Sequence, residues 1–233
     1  MQKVKKISSL NYKLVEWNNQ MYKKYPTGRC IGIAGHIEHS RGKAVLQFAE
    51  IKPTEAVLEV GCEGGNLLIN VPNAKRIVGA DISSTALNDA AKLFENQGRF
   101  AEFFQCDAQE YLPFSKGEFD VIICSEVLEH VPNPRRVLEN IYNISTDKTR
   151  IVISVPIEAP KVAMKKILKS MGLFGVLFPK IEEGQSEWHL HSFSKNMFYE
   201  INNKPTTLFK ILKEKIVWYN HYVALLKRAR TNF

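Results

Sequence analysis

The chain has 233 residues, 45% of them hydrophobic and 24% charged, enough for one α/β domain with a substantial core but too short for two full domains. This composition excludes disordered and fibrous classes, and no run reaches the ~18 apolar residues that span a bilayer. The net charge of +8 is uneven, at +6 over residues 1–50, −5 over 51–150 and +7 over 151–233, so both flanks read either as attractors of lipid head groups, nucleic acid or phosphorylated small molecules, or as solvated lysine surface.

Residues 1–50 look helical and read as a cap outside the repeating pattern that follows. The opening "MQKVKKISSLNYKLVEWNNQ" has basic residues with no apolar stretch after them, so a secretory leader is not expected and a cytosolic location is. From residue 56 short apolar runs alternate with amphipathic ones. "AVLEVG" (56–61), "RIVGADI" (76–82), "AEFFQCD" (101–107), "FDVIICSE" (119–126) and "TRIVISVPI" (149–157) are predicted strands. Their unbroken hydrophobicity implies helices on both faces of a parallel sheet. Ser84 is expected to cap a helix carrying Leu87, Ala91 and Phe94 on one side, and Asn133 a second that starts at Pro134 and buries Val137, Leu138 and Ile141. A helix is predicted at 195–202. After it, "TLFKILKEKIVWY" and "HYVALLKRA" lie too close for a helical crossover and read as an antiparallel edge pair. Cys30, Cys62, Cys106 and Cys124 show no C-x-x-C spacing and read as small buried hydrophobes rather than a disulfide framework or zinc site.

Acidic and polar residues recur at the carboxyl ends of these strands, where an open doubly wound sheet holds its ligand. Glu59 lies in the first strand, Asp81 ends the second, Asp107 the third, and Ser125 and Glu126 the fourth. Asp81 comes 22 residues after Glu59, the spacing that sets a carboxylate beside a ribose diol. The turn "GCEGG" (61–65) puts Glu63 where a phosphate wants bare N–H groups. A cationic or zwitterionic ligand does not meet that conflict.

In "VLEVGCEGG", "VGADIS", "FFQCDA" and "FDVIICSEVLEHVPNP", in this order and spacing from about residue 55 to 195, the chain resembles the class I S-adenosylmethionine-dependent methyltransferases. The last stretch is similar to their ubiquinone-methyltransferase-like branch. The resemblance implies a doubly wound, mostly parallel seven-stranded sheet with an antiparallel C-terminal hairpin. It also implies a cofactor domain over 51–233, a lid inserted at about 160–187, and S-adenosylmethionine as cofactor, leaving as S-adenosylhomocysteine. Glu59, Gly61 and Gly65 would then surround the methionine part. Asp81 would grip the ribose, Ile82 the adenine face, Asp107 and Ala108 the adenine edge, and Ser125 would close the floor. Glu63 departs from the family's G-x-G-x-G. A positive φ there would cost a non-glycine residue about 1 kcal/mol, which folding absorbs.

Methyl transfer needs alignment and exclusion of water, and an oxygen acceptor also needs a base. His130 should overhang the cleft as that base or else bond the next loop. "EWHLHSFS" places His189 and His191 on one face of an extended segment beside the substrate, without a third metal ligand. Tyr22, Tyr25 and His36 would cover the pocket from the N-terminal side. "PKVAMKKILKSMGLFGVLFPKI" (160–181) sets Met164, Ile167, Leu168 and Met171 against Lys165, Lys166 and Lys169, reading either as a core-packed lid or as a helix lying on an anionic membrane. The absence of N/D-P-P-Y after the fourth strand argues against amine acceptors and leaves oxygen or carbon. The expected function is methyl transfer to a small or lipid-like acceptor, at oxygen in preference to carbon. The alternatives are an RNA methyltransferase, a non-catalytic cofactor-binding protein and, more distantly, a nicotinamide oxidoreductase.

Overall fold

The computed structural model describes residues 4–6, 10–24, 32–157 and 190–229. Eight strands form one sheet in the order β1-β4-β3-β2-β5-β6-β8-β7. They are β1 (Val4–Lys6), β2 (Ala56–Val60), β3 (Arg76–Asp81), β4 (Glu102–Gln105), β5 (Val121–Ser125), β6 (Arg150–Pro156), β7 (Phe209–Val217) and β8 (His221–Arg228). The first six in that spatial order pair parallel, and β8 pairs antiparallel with both β6 and β7. All five predicted central strands and the edge hairpin are present. The sheet has eight strands, not seven, because β1 adds to the outer edge of β4. Its three residues are too few for a periodic signal, and Lys5 is held there by Glu102 at 2.9 Å and by the Phe104 ring.

Chain order moves outward from β2 through β3 to β4, then jumps to β5 on the other side of β2. The switch point therefore lies between β2 and β5, and the crevice opens above their carboxyl ends. Among the described residues, five helices flank the sheet: α1 (Tyr12–Lys24), α2 (Gly32–Ala49), α3 (Ser84–Asn96), α4 (Pro134–Ile144) and α5 (Lys195–Asn203). Ala44, Val45 and Ala49 of α2 join Leu87, Ala90 and Phe94 of α3 in one core layer. Val137, Leu138 and Ile141 of α4 join Phe198 of α5 in the other. Buried strand residues between the two layers, such as Leu58 and Val78, make each strand apolar on both sides, as the unbroken runs required.

Asn133 caps α4 as expected, its side chain accepting from Arg136 N–H. The cap of α3 is Ser83, one residue before the predicted Ser84, accepting from Ala86 N–H at 3.1 Å. The reason is tertiary: Ser83 also donates to Asn19 of α1 at 2.8 Å, and Asn19 accepts from Thr85 N–H at 3.2 Å. One asparagine thus fixes both the start of α3 and the position of α1. Cys62, Cys106 and Cys124 are buried free thiols, and burial pushes Cys106 up to about 12. Cys30 and the lid segment 160–187 lie outside the described residues. Among the described residues, no helix is long and apolar enough to cross a membrane.

Candidate functional site

The turn after β2 is built from positive backbone angles. Gly61, Glu63 and Gly65 have φ of 73°, 44° and 78°. A Cβ at Gly61 would stand 2.2 Å from Val127 Cγ2, so glycine is demanded there by contact as well as by φ. Glu63 is the strained member, a side chain in the left-handed region that costs about 1 kcal/mol or more. Its backbone N–H donates to Asp81 Oδ2 at 2.9 Å, which holds it in place. Glu63→Gly should therefore raise the unfolding free energy by roughly 0.5–1 kcal/mol in a urea titration, part of the relief being returned to the freer unfolded chain. An unchanged or lower value would refute strain at this position.

Glu59 is 3% exposed, and its Oε2 has no hydrogen-bond partner, while Leu68 N–H donates to the carboxylate. Burial drives its protonation well above the usual carboxylate range; Arg41 opposes this, and the charges of Glu63 and Asp81 reinforce it. Asp81 accepts from Ser83 N–H at 2.8 Å as well as from Glu63. Burial raises it too, against three backbone donors. Cys106 N–H reaches the Asp81 carbonyl at 3.0 Å, so Asp81, Ile82 and Asp107 share one end of neighbouring strands. Asp107 Oδ1 accepts Gln109 N–H at 2.9 Å, and Asn140 holds the Ala108 carbonyl at 2.8 Å, shaping the wall beside them.

The described residues placed on the substrate side fall at three locations. Tyr22 is buried against the glycine turn, with its hydroxyl 2.6 Å from where a Gly64 Cβ would be and 3.4 Å from Asp89. It thus borders the turn expected to hold the methionine part of the cofactor. Burial, then Asp89 and Glu63, push its phenol up. His36 is exposed and meets Trp218 edge-on at 5.9 Å. His191 Nε2 donates to the Val131 carbonyl at 2.9 Å, and its N–H and that of Leu190 reach the Glu129 carbonyl. This clamps the short helical turn Leu128–His130 that presents His130. His130 Nε2 stands 3.8 Å from Glu129 Oε1. Tyr25 and His189 lie outside the described residues.

The floor beyond β5 holds residues that carried no sequence signal. Arg41 of α2, 13% exposed at its side chain, grips Glu38 at 2.6 Å and donates to Ser125 Oγ. Glu126, Glu38 and Glu129 hold its charge on despite burial. Ser125, expected to close the floor near the methionine, accepts from Arg41 and shares a 2.8 Å hydrogen bond with Ser154. Ser154 donates to Glu126 Oε1 at 2.9 Å, and His221 of β8 meets Glu126 Oε2 at 3.0 Å.

A family model described as a methyltransferase domain matches residues 34–197, well over half of the chain. The chain belongs to this family. Curated relatives agree: a ubiquinone biosynthesis O-methyltransferase of Aromatoleum aromaticum is 37% identical over 79 residues, 34% of each chain. That of Aeromonas salmonicida is 30% identical over 115 residues, 48% of each. The chain thus spans about a third to a half of the length of such relatives. The fold is shared with magnesium protoporphyrin IX methyltransferase from Synechocystis PCC 6803, solved with S-adenosylhomocysteine, at a TM-score of 0.67 and 18% identity over 94% of this chain and 99% of that one. The [4+2]-cyclase SpnF matches at 0.67 and 13% identity over 92% of this chain and 96% of that one, so this methyltransferase-family fold also carries a different named activity.

S-adenosylmethionine, the cofactor of the family, is compatible with these residues. Glu59 offers a buried, unpartnered carboxylate oxygen with Glu63 and Asp81 close enough to raise its pKa. A ligand bringing an ammonium and a sulfonium relieves that excess of negative charge, whereas a dinucleotide pyrophosphate would add to it. Asp81 retains lone pairs for ribose hydroxyls beyond those used by the backbone.

Proposed function

We propose that the chain transfers the methyl group of S-adenosylmethionine to an oxygen of a small or lipid-like acceptor, in the cytosol. The observation that carries this reading is the orphaned Glu59 oxygen at the switch point. The bound sulfonium supplies an activated methyl group. Glu59, Gly61 and Gly65 would hold the methionine end, Asp81 and Ile82 the ribose and adenine, and Asp107 and Ala108 the adenine edge. Residues 1–50 would cap the cleft, with α2 over the acceptor side, His36 at its rim and water kept out beneath. The sequence offers His130 for removal of the acceptor proton, its turn held by His191.

Incubation with methyl-labelled cofactor and a total cell extract, followed by partition between organic solvent and RNA, tests the proposal. Label in an alkali-stable, solvent-extractable ether supports it. Label in RNA would favour the nucleic-acid alternative, and tight cofactor binding without transfer a non-catalytic role.

The lipid-like acceptor implies contact with an anionic membrane, and one described surface supports it. Trp218 and Tyr219 form the β7–β8 turn, with φ of 50° and 58° and exposures of 54% and 83%. Glycine and asparagine are the natural occupants of such a hairpin turn, so two strained, exposed aromatics are explained by interfacial anchoring and not by folding. Trp218→Asn with Tyr219→Gly should melt no lower than the parent while losing co-sedimentation with phosphatidylglycerol vesicles. Retained co-sedimentation would remove the turn from the interface.

A further inference from the structure

Among the described residues, a directional chain of hydrogen bonds ends on His221 and gives that ring a chemical role. Ser154 donates its hydroxyl proton to Glu126 Oε1 at 2.9 Å, so in the 2.8 Å Ser125–Ser154 contact Ser125 is the donor. Ser125 in turn accepts from the Arg41 guanidinium. Every proton in the series points toward the Glu126 carboxylate, which lies 3.0 Å from His221 Nδ1. A carboxylate oxygen accepts, so Nδ1 carries the hydrogen, and a neutral ring then has its lone pair on Nε2. Glu126 is itself held at φ 56°, a left-handed angle for a residue with a side chain, and its N–H donates to the Ser154 carbonyl at 3.0 Å. Strain fixed this firmly at the tip of a central strand is characteristic of a positioned functional group.

The topology puts this pair across the switch point from Asp81 and Asp107. His221 opens β8 opposite Pro156 at the end of β6, beyond the level where Ser125 pairs with Ser154. It therefore stands above the carboxyl ends of β5 and β6, on the far side of the switch point from Asp81 and Asp107. Glu38 Oε1 of α2 stands 3.9 Å from Nε2, outside hydrogen-bond reach. The His221 side chain is 3% exposed and that of Glu38 43%, so the ring itself is buried while the carboxylate beside it reaches solvent.

We propose that His221 is the proton acceptor of the reaction in place of His130, with Glu126 as its positioning residue; this rests on the reading that the acceptor atom is oxygen. The acceptor O–H bond breaks as its proton passes to Nε2. An oxygen lone pair forms the new C–O bond while the electron pair of the breaking S–CH₃ bond stays on sulfur. The products are a methyl ether, a neutral thioether and an imidazolium flanked by Glu126 and Glu38, which releases its proton to solvent past Glu38. The clamp by His191 on the turn that carries His130 gives that turn a structural explanation.

Two measurements test this, one of them independent of any acceptor. In protein carrying ¹⁵N-histidine, recorded at a pH where the rings are neutral, His221 should be the Nδ1–H tautomer. Glu126→Gln should invert it, because a carboxamide can donate to Nδ1. An Nε2–H ring in the parent protein overturns the proposal. With labelled cofactor and a lipid extract as acceptor, His221→Ala and Glu126→Gln should each lower kcat by about 10²- to 10⁴-fold. Affinity for S-adenosylhomocysteine should stay within about threefold by calorimetry, and added imidazole should restore part of the His221→Ala rate. Glu126→Gln is nearly isosteric and keeps the test usable if the alanine variant does not fold. A larger loss in His130→Ala than in His221→Ala returns the role to His130. A parent protein that binds cofactor and labels no oxygen defeats the proposed function itself, whereas the tautomer result stands or falls separately.

Discussion

Arg41→Ala should lower the unfolding free energy of the cofactor-free protein by about 2–3 kcal/mol, less than the cost of breaking a fully buried ion pair because Glu38 is 43% exposed. Arg41 is 13% exposed and engages Glu38 and Ser125 directly. The fields of Glu126 and Glu129 also act on it, and its own charge is the main influence drawing Glu59 back toward ionisation. Its removal leaves several carboxylates repelling one another beneath α2. Arg41→Lys keeps the charge and loses the fork that spans Glu38 and Ser125, so about 1–2 kcal/mol of the loss should persist. Urea titration of the three proteins decides this, and an alanine variant within about 1 kcal/mol of the parent would show that the cluster is not held by this cation.

Glu59→Gln should have opposite effects on stability and on binding. Burial raises the Glu59 carboxyl in the folded protein, so the folded state prefers the protonated form. The stability this contributes is complete below the unfolded pKa of about 4.3 and is lost as pH rises toward the folded value. Glutamine abolishes that loss. The variant should melt with the parent near pH 4 and above it at neutral pH, by a margin that grows with pH. Its affinity for S-adenosylmethionine should fall by about 2–4 kcal/mol, roughly 30- to 1,000-fold, because a cationic ligand loses its buried anion. Thermal melts across pH and calorimetric titration read the two effects separately. Unchanged affinity would mean that Glu59 does not meet the methionine end.

The strand tips were legible because each is local. Glu59, Asp81, Asp107 and Ser125 all follow short apolar runs whose length and continuity mark parallel strands, and parallel strands carry their ligands at one end. The strained turn could be anticipated for the same reason, since a glutamate between glycines must take the backbone its neighbours impose, and φ at Glu63 is 44°. Tyr22, expected beside the substrate, stands against the glycine turn. Helix α1 is oriented by the Asn19 contacts to α3, which span more than sixty residues.

The sequence alone determined the doubly wound sheet and the residues at its switch point, because these follow from periodicity and from spacing within single βα units, and it carried the methyltransferase family through the resemblance of its motifs. The tertiary structure alone decided that β1 closes the edge, that Ser125 faces Arg41, and that Glu126 holds His221. Arg41 and Ser125 are 84 residues apart and Glu126 and His221 are 95 apart. No local pattern encodes such pairs; they arise when two antiparallel C-terminal strands and a preceding helix pack beside the crevice and bring their buried charges within hydrogen-bond reach.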